Sequence, residues 1–272
     1  MSLEKINFYC VTNKEYSFFK DLPYNFAGVG KENFSKNFML SNNLDNIFYK
    51  EKYYSELTFH YWFWKNMLHN FSDDSWIGFC QKRRFWVKKE LNELSINQSN
   101  LKDNVLLNVP DKWILGSYDA VICEPIFLDS FSNTKLIKKG FRSLVKDPSI
   151  FFNKEKRTIK LHFDMHHGYG NLEKATDLLE IQDREEFRKF INTSNKFHPN
   201  IMFISRPRIA NEWFEKLFSW LFRCEKIFGF DNLSGYKTQR LYAYLAERYL
   251  SFWFTKYTKF IEWPIITINN LD

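Results

Sequence analysis

The sequence predicts an α/β fold: a central, mostly parallel sheet covered by helices on both faces. Short apolar runs recur at residues 6–12, 76–80, 118–123 and 201–204, and each stops at charge or a turn residue. Their apolar content is near-continuous rather than alternating, as in strands buried on both faces. Helical patterns lie between them, and strands alternating with helices imply parallel pairing through crossovers.

Taken in order, residues 6–12 are β-branched and aromatic and end at Asn13-Lys14, so they read as a first strand and a loop. Residues 20–50, rich in Asn, Gly and Asp, read as irregular. Gly28 and Gly30 do not make a G-x-G-x-x-G fingerprint, which leaves a standard dinucleotide site unsupported. Ser55 reads as a helix N-cap, followed by Leu57, Tyr61, Trp64 and Leu68 at helical spacing. Residues 76–80 read as a central strand and 118–123 as another, ended by Glu124-Pro125. Residues 129–160 are polar and mixed, and no element is assigned there. Residues 172–190 read as two helices broken near Gln182-Asp183. Residues 201–204 read as a strand stopped by Arg206-Pro207. Amphipathic helices over 209–228 and 238–257 flank a turn, and 264–268 reads as a last strand.

The 272 residues with 44% hydrophobic content suffice for a core in one large domain or two small ones. Phenylalanine counts 30, and Asn and Lys are also abundant, a pattern read first as codon bias. A formal charge of +7 admits nucleic acid, an anionic membrane face or a phosphorylated small substrate, and selects none of them. Cys10, Cys80, Cys123 and Cys224 lack C-x-x-C spacing, which argues against zinc and fits a reducing compartment. Neither a signal peptide nor a membrane span is legible, so a cytoplasmic protein is expected. The aromatic run Phe252-Trp253-Phe254, with Lys256 and Lys259, offers a peripheral contact to the inner face of a membrane.

The chemistry concentrates in two places. The strand over 76–80 opens onto Gln81-Lys82-Arg83-Arg84, and a buried strand ending in cations is how α/β sheets hold anionic ligands. A phosphate-bearing substrate is therefore the first hypothesis. The second place is Asp164-Met165-His166-His167-Gly168-Tyr169-Gly170-Asn171. His162 and His166 would make an i, i+4 metal pair on a helix, but the nearby glycines argue against one, so no metal is assigned. His167 or Asp164 is the candidate general base, set against a plain polar loop.

Several segments together resemble a family of bacterial glycosyltransferase-like proteins from capsular and exopolysaccharide loci, long catalogued as a domain of unknown function. They are Val11-Thr12-Asn13-Lys14, Asp45-Asn46-Ile47, Tyr54-Ser55-Glu56-Leu57-Thr58 and Tyr61-Trp62-Phe63-Trp64-Lys65-Asn66. Further on come Ile77-Gly78-Phe79, Arg83-Arg84-Phe85, Asn200 with Met202-Phe203-Ile204, and Gln239-Arg240-Leu241-Tyr242 through Glu247-Arg248. The resemblance spans nearly the whole chain. It implies a GT-A-like fold and sugar transfer from a nucleotide donor without fixing the sugar; hexosyl transfer from a UDP-sugar is the favoured reading, and inversion is preferred because acid and imidazole candidates cluster in one loop. The acceptor would be a glycan or lipid-linked molecule in surface polysaccharide synthesis. It also implies one domain over 1–272, with a nucleotide-binding part to about 128 and an acceptor-side, helical part beyond. This chain departs from the family where Gln81-Lys82 stands in place of His-Tyr.

Sugar transfer requires stabilisation of a leaving diphosphate and, for inversion, removal of a proton from the acceptor hydroxyl. No Asp-x-Asp follows the 76–80 strand to hold Mg or Mn, and Asp73-Asp74 precedes it, so no cofactor is assigned, with a divalent Mg or Mn kept as the alternative. Lys82, Arg83 and Arg84, with Gln81 beside them, are expected to meet the diphosphate instead, the alternative being cations that only face solvent. Glu56 either complements the helix start or binds donor hydroxyls and orients Arg84. Thr12 and Lys14 follow the first strand, and Asp45 is placed at base or ribose. His166, His198 and Asn200 are placed on the acceptor side. An Arg240–Glu247 ion pair and core packing account for the remaining helical rows. A non-catalytic nucleotide binder and a nucleic-acid-binding protein are the alternatives carried, although no nucleic-acid module is recognisable.

Overall fold

Eleven strands form among the described residues, which in this computed structural model are 4–88, 96–130 and 132–269. In chain order they are β1 (Ile6–Thr12), β2 (Asn25–Gly28), β3 (Met39–Leu40), β4 (Trp76–Gln81), β5 (Arg84–Trp86), β6 (Ala120–Cys123), β7 (Ile126–Phe127), β8 (Lys196–Phe197), β9 (Phe203–Ser205), β10 (Phe260–Trp263) and β11 (Ile265–Thr267). The chain divides into two compact units. The first comprises Met1–Glu124, Asn200–Glu215 and Trp253–Asp272, and the second Pro125–Pro199 and Lys216–Phe252.

The first unit holds a nine-stranded sheet ordered β10-β6-β9-β4-β1-β2-β3, with β5 paired to β4 and β11 to β5. The pairs β1–β2, β1–β4, β2–β3 and β6–β10 are parallel, while β9 lies antiparallel between β4 and β6. The sheet is therefore mostly parallel, as the sequence predicts. Period-two alternation sends β1 side chains to both faces. Phe8 and Cys10 enter a core with Tyr24, Phe85, Trp76 and Trp113. Tyr9 turns to the other face and meets Phe59 and Phe63 of the Leu57–Asn66 helix. At Gly78 in β4 a Cβ would stand 2.4 Å from the Phe8 ring, so only glycine lets that ring lie against the strand.

In the second unit, helices Asn133–Lys146, Ile159–His167, Asn171–Thr176 and Ile181–Thr193 join most of Pro207–Phe228 and Leu241–Tyr257. Two of its buried polar groups are paired across helices. Trp220 donates Nε1–H to the Ala175 carbonyl at 2.7 Å, and Tyr249 donates its hydroxyl to Asp183 Oδ2 at 2.8 Å. Leu217, Trp220, Leu221, Tyr242, Leu245, Tyr249 and Phe252 are all buried here, as is Trp213 in the first unit, so these helical rows are core.

Several expectations need correction. Residues 20–50 are not wholly irregular, because β2 and β3 extend the sheet there with only two to four residues each. Residues 129–160 contain the 14-residue helix Asn133–Lys146, hidden by its charge. The break expected at Gln182-Asp183 falls earlier, since Ile181–Thr193 is one helix. Phe252, Trp253 and Phe254 are buried and present no face to a membrane. All four cysteines are buried thiols. No helix among the described residues is long and apolar enough to cross a membrane.

Candidate functional site

β1 has β2 on one side and β4 on the other, and runs parallel to both. The chain thus leaves β1 in one direction and returns to its opposite flank. Open α/β sheets bind ligands beyond the carboxyl ends of strands at such a reversal. Val11 stands opposite Gln81 in this pair, so Thr12, Asn13 and Lys14 share one sheet edge with the residues after β4. Gln81 also pairs with Arg84 across a tight hairpin, which leaves Lys82 and Arg83 as its two-residue turn.

The side chains at this edge form a connected set. Gln81 donates Nε2–H to Glu56 Oε1 at 2.5 Å, and Arg84 donates from its guanidinium to Gln81 Oε1 at 2.8 Å. Lys82 donates Nζ–H to Asn13 Oδ1 at 2.7 Å, while its backbone N–H donates to the Val11 carbonyl at 3.1 Å. Thr12, itself buried, donates its hydroxyl to the Lys14 carbonyl at 2.5 Å and accepts from the Lys14 N–H at 3.1 Å, which tightens the turn after β1. Glu56, Gln81, Lys82, Arg83 and Arg84 are all half-buried. Among the described residues the Arg83 side chain has no hydrogen bond or ion pair, and Arg84 has the one to Gln81. A guanidinium carries five donors, so this edge presents several unused N–H groups in fixed directions.

Glu56 is delivered by an unusual backbone. Ser55 does not cap the helix with its hydroxyl as expected. It adopts φ 52° and ψ −131° as the residue closing Glu51–Tyr54, and its carbonyl accepts from Thr58 N–H at 3.2 Å and Thr58 Oγ1–H at 2.9 Å. A buried non-glycine residue in this region is strained, and such strain clusters at functional sites. The corner turns the chain sharply, and Glu56 then opens the Leu57–Asn66 helix.

The other candidates lie in different contact sets. Asp45 is exposed, accepts from the Tyr61 hydroxyl at 3.1 Å and accepts at its carbonyl from Asn66 at 2.8 Å. Burial and Asp45 together push the Tyr61 phenol up to about 12. Asn200 is in the first unit with a left-handed φ of 70°.

Asp164, His166, His167 and His198 belong to the second unit. Contrary to expectation, the histidine segment is helical: Ile159–His167 is a helix capped by Thr158, and the glycines follow it. His162 and His166 do share a helix face, with ring centroids 4.5 Å apart. Arg248, which has only donors, faces His162 Nδ1 at 3.3 Å, so that nitrogen accepts. Burial first, then the Arg248 charge, lowers the His162 pKa from 6.5 to about 2. His166 Nδ1 lies 3.0 Å from the His162 carbonyl. His167 is buried and stacks on Tyr244 with centroids 3.7 Å apart. The Asp164 carboxylate accepts from the Gly170 N–H at 2.9 Å and from Lys160 Nζ at 3.2 Å, which ties the Gly168–Gly170 turn to the helix. The His198 N–H donates to Ser251 Oγ at 2.7 Å. Among the described residues no three His, Cys, Asp or Glu side chains group to hold a metal.

A family model described as "Domain of unknown function (DUF4422)" matches residues 7–259. The chain belongs to this family. No curated protein matches it. Among solved structures, the apo form of the bifunctional glycosyltransferase WbbM is similar, with TM-score 0.73 at 18% identity. The match covers 98% of this chain and 46% of that one, so the chain spans less than half of that protein's length. At this identity the likeness establishes the fold.

The contacts of three residues are not foreseen by the sequence. Asn13 holds Lys82, and its place directly after β1 was the available signal. Tyr244 stacks on His167 from 77 positions away, and Arg248 sits 1% exposed against Phe197. No local pattern announces either contact.

Proposed function

We propose that the chain is a GT-A-like glycosyltransferase that moves a sugar from a nucleoside diphosphate donor, UDP-sugar favoured, to a glycan or lipid-linked acceptor in surface polysaccharide synthesis. The observation that carries this reading is the Glu56–Gln81–Arg84 relay at the carboxyl ends of β1 and β4. Arg84 and Arg83 grip the diphosphate oxygens and stabilise the charge that grows as the sugar leaves. Lys82, steadied by Asn13, adds a point charge on the same edge. The Thr12–Lys14 turn offers backbone groups to the nucleotide, and the second oxygen of Glu56 accepts from a donor hydroxyl. The fold shared with a glycosyltransferase and the family membership support the assignment.

His167 is the proposed base for an inverting transfer, and His166, His198 and Asn200 are proposed on the acceptor side. The nucleic-acid alternative is weakened because the helical aromatic rows are buried and offer bases no platform. A panel of nucleotides in thermal denaturation tests the proposal, since a ligand that binds only the folded state raises its melting temperature. UDP or GDP is expected to stabilise the chain and oligonucleotides are not. Stabilisation by oligonucleotides alone overturns the proposal.

A further inference from the structure

The helix Asn133–Lys146 has more apolar surface than its packing uses. Leu136 and Gly140 are buried, and a Cβ on Gly140 would already stand 3.3 Å from Met165 Sδ on the neighbouring Ile159–His167 helix. That is the side packed into the unit. Ile137, Phe141 and Val145, spaced four apart, form a second stripe. They are 50%, 65% and 66% exposed. A core helix of this length does not leave three large apolar side chains in water in one row without reason.

Charge specifies the partner. The 14 residues include Lys135, Lys138, Lys139, Arg142 and Lys146 and no acid. Lys138, Arg142 and Lys146 each follow one residue after a member of the exposed stripe, so the cations run along its border. The same helix walls a pocket of about 240 Å³ whose lining includes Lys139, Phe141, Arg142 and Tyr169, with the Asp164 carboxylate the one acid among the lining residues. Over the Tyr169 ring stand Arg142, Lys146 and Lys160, at 5.9, 5.3 and 5.6 Å from its centroid.

We infer that this helix docks on an anionic lipid bilayer, with Ile137, Phe141 and Val145 entering the acyl boundary and the cations meeting headgroup phosphates. A bilayer offers apolar depth and negative charge together and in no fixed register, which suits a continuous stripe bordered by cations. Nucleic acid offers the charge without the apolar depth. The inference does not depend on the glycosyltransfer reading, and it places the membrane contact at a different segment from Phe252–Phe254.

The test is co-flotation of the full chain with vesicles. The protein is expected to float with mixed phosphatidylcholine–phosphatidylglycerol vesicles and to stay behind with phosphatidylcholine alone. Phe141→Asp abolishes flotation, and Lys138→Glu with Arg142→Glu lowers the partition coefficient at least about tenfold. These positions are exposed, so the melting temperature stays near that of the unsubstituted chain. A charge-matched control, Lys31→Glu with Lys36→Glu on exposed positions of the first unit, leaves flotation intact. No flotation with the anionic vesicles, or undiminished flotation of Phe141→Asp, overturns the inference. So does a solution dimer that Phe141→Asp converts to monomer while vesicles capture neither form.

Discussion

Gln81 bridges Glu56 and Arg84 with its single amide, donating to the carboxylate at 2.5 Å and accepting from the guanidinium at 2.8 Å. The two bonds fix which way the amide points, because only its nitrogen can donate and only its oxygen can accept. Glu56 therefore orients Arg84 through an intermediary. A neutral imidazole also presents one donor and one acceptor, so a histidine at this position would have the same bridging chemistry.

That equivalence gives a paired test. Gln81→Leu breaks both bonds, and removing the partner of a half-buried charge costs about 1–3 kcal/mol. It is expected to lower both the melting temperature and stabilisation by UDP or GDP. Gln81→His is expected to retain most of that stabilisation. Equal loss in both variants would show that bridging is not what the position supplies.

Arg84→Ala and Arg83→Ala are expected to weaken nucleoside diphosphate binding by about 1.5–3 kcal/mol each, the range for hydrogen bonds to charged groups. Nucleoside binding should change far less, because only the phosphates are addressed. Isothermal titration with UDP and uridine separates the two cases. Equal weakening of both ligands contradicts a phosphate role.

His167→Gln removes the stack on Tyr244 and the basic imidazole together. The stack accounts for about 0.5–1.5 kcal/mol of stability. The expected outcome is a modest fall in melting temperature, unchanged diphosphate affinity and loss of transfer. Turnover that survives the substitution excludes His167 as the base.

The strand pattern was legible in the sequence because the central strands are buried on both faces and read as unbroken apolar runs. β1 runs from Ile6 to Thr12 as expected, and β4 ends at Gln81, where the charge begins. β2 and β3 were not legible, since two to four residues are too few to set a period. The Ile159–His167 helix is not legible because Gly168 and Gly170 read as helix breakers, when they only end it. The cations after β4 could be found from composition and order. Their coupling to Glu56 could not, because the bond spans 25 positions and depends on a corner at Ser55 that carries no glycine signal.

His60 gives a pH signature independent of any ligand. Its ring is buried against Phe79 and Phe214, and burial lowers its pKa from 6.5 to about 3. The unfolded chain then binds a proton between these values that the folded chain does not, so this contribution to stability is present above pH 6.5 and is lost as pH falls toward 3. The expected loss between pH 7 and pH 5 is about 2 kcal/mol from this residue. His162 in the second unit, with its pKa at about 2, acts with the same sign. Denaturant unfolding of His60→Phe at both pH values should show a difference smaller by that amount, and an unchanged difference contradicts the burial argument.

The most direct measurement is a crystal structure of the chain soaked with UDP. The relay predicts the two phosphates within hydrogen-bond distance of the Arg84 guanidinium, beside the Lys82–Arg83 turn, with Glu56 still bound to Gln81. Phosphates seated elsewhere on the chain, with Arg84 turned to bulk water, contradict the account.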